Sequence, residues 1–91
     1  MITLIDFFAS WCGPCIAMKP VIEQVETTLA GKIIVKKIDV DENQETASKY
    51  GISSIPTFLI LNESGVELSR KIGGGMSKDQ LVSWISQYLN G

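Results

Sequence analysis

The chain contains no histidine, and only two of its 91 residues are cysteines. A four-ligand zinc site would need carboxylates to complete it, outside the usual cysteine and histidine sets. Two cysteines separated by two residues do not form a disulfide scaffold either, because such scaffolds spread several cross-links along the chain. No apolar run approaches the roughly 20 residues needed to cross a bilayer as a helix. Met1 to Ala9 lacks a basic n-region and carries Asp6, so it does not read as a signal peptide, and a cytoplasmic location is expected. Eight basic residues stand against ten acidic ones, the net charge is −2, and the lysines are scattered. Nothing in that pattern suggests a nucleic-acid surface or a polybasic membrane patch. No linker or repeat divides the chain, and 45% hydrophobic residues suffice for a core, so residues 1–91 are expected to form one domain.

What the chain does have is Trp11-Cys12-Gly13-Pro14-Cys15. An apolar run, Ile2 to Ala9, leads into this stretch, and a helix-patterned run, Ile16 to Leu29, leads out. A strand–turn–helix junction puts Cys12 at a helix N-terminus, where unpaired N–H groups and the helix dipole favour thiolate over thiol. Cys15 lies at i+3, one turn further in, close enough for the sulfurs to bond. Pro14 in the first turn costs little, because its missing N–H would have had no partner. This local chemistry is that of a reversible dithiol/disulfide pair with Cys12 as the exposed sulfur. Two ordinary buried cysteines would not need a helix start.

Ile2 to Phe8 reads as a strand apolar on both faces, as in a covered sheet. Residues 14 to about 30 read as a helix with a stripe of Ile16, Val21, Ile22, Val25 and Leu29, ended by Gly31 and kinked at Pro20. Ile33 to Val40 is a second, β-branched strand, and the βαβ unit so formed makes the two strands parallel. Asp41 to Gln44 offers caps for a short helix through Tyr50, stopped by Gly51. Thr57 to Leu61 and Val66 to Ile72 are strands joined by a turn at Asn62-Glu63-Ser64-Gly65. Ser77 caps a last helix through Leu89, with Leu81, Val82, Trp84, Ile85 and Leu89 inward. The order βαβαββα makes an α/β fold, a four-stranded mixed sheet flanked by helices.

Asp6-Phe7-Phe8-Ala9, the WCGPC stretch, Lys49-Tyr50-Gly51-Ile52, Ile55-Pro56-Thr57 and Lys71-Ile72-Gly73 follow one another in the order found in thioredoxins. The chain resembles the thioredoxin family over nearly its whole length. The resemblance implies the thioredoxin-like fold, with the first strand central between the second and third. Family members usually begin with a further strand and helix. Without these, Ile33 to Val40 is expected to be an uncovered sheet edge, in a chain that is mainly a monomer.

The resemblance also assigns roles. It implies a thiol–disulfide oxidoreductase, a protein disulfide reductase with Cys12 as nucleophile and Cys15 as resolving cysteine. Asp6 is a carboxylate in an apolar strand, so it must be paired, protonated or functional unless it reaches solvent at the strand end. It matches the buried aspartate that accepts the proton of Cys15, and Lys37 matches the lysine beside it. The alternative for Lys37 is a solvated lysine of the Lys36-Lys37 pair. Ile55-Pro56 would ordinarily be trans; in the family this bond is cis and turns the backbone towards the cysteines, where it can bind an extended substrate. Trp11, Gly13, Pro14, Ile55, Pro56 and Gly73 are the implied substrate-binding residues. Trp84 reads as core only.

No organic cofactor and no metal is implied. The implied partners are disulfide-containing proteins and a flavoprotein thioredoxin reductase that returns electrons from NADPH. An oxidase or isomerase of the same fold is the enzyme alternative, against which the Gly-Pro between the cysteines resembles the reducing members. A binding module that keeps the fold for its surface is the alternative outside catalysis. Three departures from the family stand out. Phe8 replaces a common tryptophan, Ile16 replaces a common basic residue after Cys15, and the Gly73-Gly74-Gly75-Met76 loop is one residue longer than usual.

Overall fold

Leu4, Ile5, Asp6 and Phe7 are consecutive buried residues of β1 (Ile2–Phe8), which is what a strand with neighbours on both sides and packing on both faces produces. The structure, a computed structural model, describes residues 1–89. After β1 come α1 (Gly13–Thr28), β2 (Ile33–Asp39), α2 (Gln44–Lys49), β3 (Thr57–Leu61), β4 (Glu67–Ile72) and α3 (Lys78–Ser86). The sheet order is β2-β1-β3-β4. β1 and β2 are parallel, and the β1–β3 and β3–β4 pairs are antiparallel. The mixed sheet and its central first strand therefore agree with the thioredoxin-like expectation.

Alternation along the strands divides the core between the two faces. Leu4, Phe58 and Ile60 pack with Ile22 and Val25 of α1 and with Leu81 and Ile85 of α3. Ile5, Phe7, Leu59 and Leu61 face the other side, against Tyr50, Ile52 and Ile55. Trp84 is buried as expected, and its indole N–H donates to the Ser69 hydroxyl at 3.0 Å, the polar outlet that a buried tryptophan requires.

The α1 stripe differs from the sequence reading. Cys15, Met18, Ile22 and Val25 are its buried residues, whereas Ile16 is exposed and Val21 only partly covered. The buried set repeats at three and four residues from Cys15, and Ile16 is rotated about 100° from it. The helix passes through Pro20 and ends at Thr28. The expected caps of α2 are used differently. Asn43 is the N-cap residue, but its amide donates to the Asp39 carbonyl at 3.0 Å instead of capping the helix. α3 ends at Ser86, short of Leu89. Tyr88 and Leu89 donate to carbonyls three residues back, so the chain tightens into turns there. Val66 belongs to the hairpin turn, because its N–H goes to the Asn62 side chain at 2.9 Å, and β4 starts at Glu67.

Candidate active site

Cys12 is the N-cap residue of α1 and has extended backbone angles (φ −85°, ψ 109°). A residue in that position leaves the first N–H groups of the helix pointing at its side chain. The Cys15 N–H donates to Cys12 Sγ at 3.2 Å, and Pro14 occupies the first turn without a wasted donor. Cys12 and Cys15 are joined as a disulfide with their α-carbons 5.2 Å apart. The sequence reading makes Cys12 the exposed sulfur. In this oxidised form the two residues are about equally covered, at 4% and 5% exposure, because they pack with Ala9, Phe8, Val40 and Ile55.

Asp6 lies two residues before Phe8, on the β1 face that α1 covers. It is 9% exposed and lines a cavity of about 300 Å³ together with Cys15, Lys19, Glu23 and Lys37. Burial pushes the Asp6 carboxyl up to about 6; the Lys37 ammonium opposes that rise and the Glu26 carboxylate adds to it. Lys37 is the register partner of Asp6 on β2. Its ammonium makes a 2.7 Å ion pair with Glu26 of α1, and that hydrogen bond holds the lysine pKa above its ordinary value. A larger open hollow of about 890 Å³, bounded by Met1, Lys32, Glu63 and Tyr88 among others, shares no residue with this site.

The other sequence candidates converge on the same end of the sheet, with one shift. The Ile55–Pro56 bond is cis, Ile55 packs against the cysteine pair, and Pro56 is buried. The Pro56 carbonyl accepts the Gly73 N–H at 2.8 Å, which ties the glycine loop to that turn. Gly73 has a φ of 101°, favoured by glycine, with open space where a Cβ would stand. The close approach is at Gly74 instead: a Cβ there would meet Pro14 at 3.5 Å and Met18 at 3.7 Å. Trp11 is 70% exposed and not a core residue. Its indole N–H donates to the Asp41 carboxylate at 2.7 Å. Sequence reasoning missed Asp41, Glu26 and Gly74 as parts of this region. The triple glycine was the one visible sign, since Asp41 and Glu26 reach their partners only across elements.

Comparison with known proteins agrees with this geometry. The family model described as Thioredoxin matches residues 1–87. The thioredoxin of Bacillus subtilis (strain 168) is 43% identical over 88 residues, covering 97% of this chain and 83% of that one. The thioredoxin of Rickettsia conorii is 43% identical over 86 residues, covering 94% and 80%. A mutant thioredoxin from Halobacterium salinarum NRC-1 superposes with a TM-score of 0.84 at 38% identity, covering 97% of this chain and 74% of that one. With its Cys12–Cys15 pair in the C-x-x-C position at the start of α1, the chain belongs to the thioredoxin family of thiol–disulfide oxidoreductases.

Proposed function

We propose that the chain is a protein disulfide reductase in which Cys12 is the nucleophile, Cys15 the resolving cysteine and Asp6 the proton acceptor for Cys15. The observation that carries the reading is the Cys12–Cys15 pair at the N-terminus of α1, with Asp6 and Cys15 on one cavity. In the reduced protein, the helix start stabilises a thiolate on Cys12. That thiolate attacks one sulfur of a substrate disulfide. The Cys12–substrate bond forms, the substrate S–S bond breaks, and the displaced thiolate takes a proton from water. Cys15 loses its proton towards Asp6, across a cavity with room for a relaying water, and attacks Cys12 Sγ. The Cys12–Cys15 bond forms and the second substrate thiolate leaves, so two electrons have passed from the protein dithiol to the substrate disulfide.

Trp11, Gly13, Pro14, Ile55 and Gly73 form the docking surface in this reading, and the buried cis Pro56 turns the Ile55 backbone towards it. The exposed side chains of Trp11, Ile16 and Ile72 extend it with apolar area. An extended segment of a disulfide-containing protein fits a surface that offers backbone at Ile55 and Gly73. A thioredoxin reductase drawing on NADPH restores the dithiol, in the cytoplasm. The test is reduction of insulin with dithiothreitol as electron donor, comparing the chain with Cys12→Ser. Loss of turnover in the variant supports the reading; equal rates for variant and unmodified protein refute it and leave a binding module.

A further inference from the structure

The Lys37–Glu26 ion pair crosses from β2 to α1 directly beside the buried carboxylate of Asp6. Lys37 is the strand partner of Asp6 and would be its natural counterion. The Lys37 ammonium is instead 2.7 Å from Glu26 Oε1. The remaining charged groups that face Asp6 are few. Lys19 and Glu23 of α1 line the cavity with it, β3 presents Phe58 as its register partner, and α3 packs on that face through Leu81, Trp84 and Ile85.

We infer that Glu26 is a positioning residue of the redox site: it binds the Lys37 ammonium, withholds that cation from Asp6, and so strengthens the proton affinity of the Asp6 carboxylate. Glu26 acts in one direction twice over: its own charge disfavours the Asp6 anion, and its hold on Lys37 weakens the cation that favours that anion. An intact ion pair presents Asp6 with a dipole whose positive end is largely neutralised, whereas a lysine without Glu26 presents a full positive charge. The field at Asp6 agrees, since the Glu26 carboxylate raises the Asp6 pKa and Lys37 lowers it. The consequence for catalysis rests on the reading of Asp6 as proton acceptor. The electrostatic coupling itself does not.

The two are separated by titrating the Asp6 side-chain carboxyl by carbon NMR in the oxidised 91-residue chain, where the disulfide removes both thiols from the titration. At low ionic strength, Glu26→Gln should lower the Asp6 midpoint by about 0.2 to 0.7 of a pH unit, the range that a partly exposed ion pair supplies. The shift should shrink in high salt. Glu26→Gln is isosteric and its site is partly exposed, so the fold should persist, and Lys37→Met should move the midpoint upward as an independent check. An unchanged or raised midpoint in Glu26→Gln overturns the inference. In reduction assays the acid limb of the pH profile should follow the same displacement, and Asp6→Asn should abolish that limb. An acid limb retained in Asp6→Asn, alongside the NMR shift, would refute the role of Asp6 as proton acceptor while leaving the Glu26 coupling intact.

Discussion

The Trp11 indole N–H and the Asp41 carboxylate are 2.7 Å apart, although thirty residues separate them in the chain. One belongs to the turn before α1 and the other to the turn after β2. The hydrogen bond holds an otherwise exposed aromatic ring beside the cysteine pair.

Asp41→Ala should therefore release Trp11 with little loss of stability, since an exposed hydrogen bond contributes about 1 kcal/mol or less. Its main effect should be a severalfold fall in kcat/KM for insulin reduction. The Trp11 indole proton should move towards its free-solvent NMR position, while that of Trp84, bonded to Ser69, stays in place. Unaltered turnover with a displaced Trp11 signal would remove the ring from the docking surface.

Asp6 predicts a pH-dependent stability. Its carboxyl is raised from 3.8 to about 6 in the folded chain. Between those values the folded state binds more protons than the unfolded one, so this group's contribution declines as pH rises from about 4 through 6. Fully developed, the difference is at most about 3 kcal/mol. Asp6→Asn should be close to the unmodified protein in stability at pH 4 and more stable by up to that amount at pH 8, as read by denaturant unfolding of the oxidised forms. A stability difference that is the same at both pH values would show a carboxylate that is adequately solvated. In turnover, the same variant should slow resolution of the mixed disulfide more than the first attack.

The position of Cys12 at the N-cap predicts unequal reactivity after reduction. At neutral pH, Cys12 should be alkylated roughly tenfold or more faster than Cys15, because the helix start favours the thiolate at the N-cap residue and not at Cys15 inside the first turn. Peptide mass spectrometry after brief iodoacetamide treatment measures the ratio. Faster labelling of Cys15 would exchange the two roles.

β2 is at the end of the sheet and β1 lies between β2 and β3. Those N–H groups of β2 that point away from β1 should exchange with deuterium early, whereas β1 remains protected. Lys36 and Lys37 oppose edge-to-edge pairing, so sedimentation at low concentration should give a monomer, with association appearing only at high concentration. Equal protection of β1 and β2 would mean that the β2 edge is covered.

Much of this molecule was determined locally. Alternating and continuous apolar runs specify strands and helices, a C-x-x-C pair at a strand-to-helix junction specifies its chemistry, and glycines at positive φ mark the ends of elements. These signals depend on a residue and its near neighbours, so one chain read in order contains them. The resemblance to thioredoxins supplied the sheet order and the cis bond before Pro56. Tertiary structure alone decided the partners. Asp41 reads as a helix cap until β2 brings it to Trp11, and Lys37 reads as a neighbour of Asp6 or a solvated lysine until α1 offers Glu26. Gly73 and Gly74 cannot be told apart until the loop packs on Pro14. Ile16 likewise looks like part of the stripe until packing sets the rotation of α1 and buries Met18 in its place. A hydrogen bond or ion pair forms with whichever group lies within about 3 Å, and for residues on different elements that distance exists only once the sheet and helices have packed.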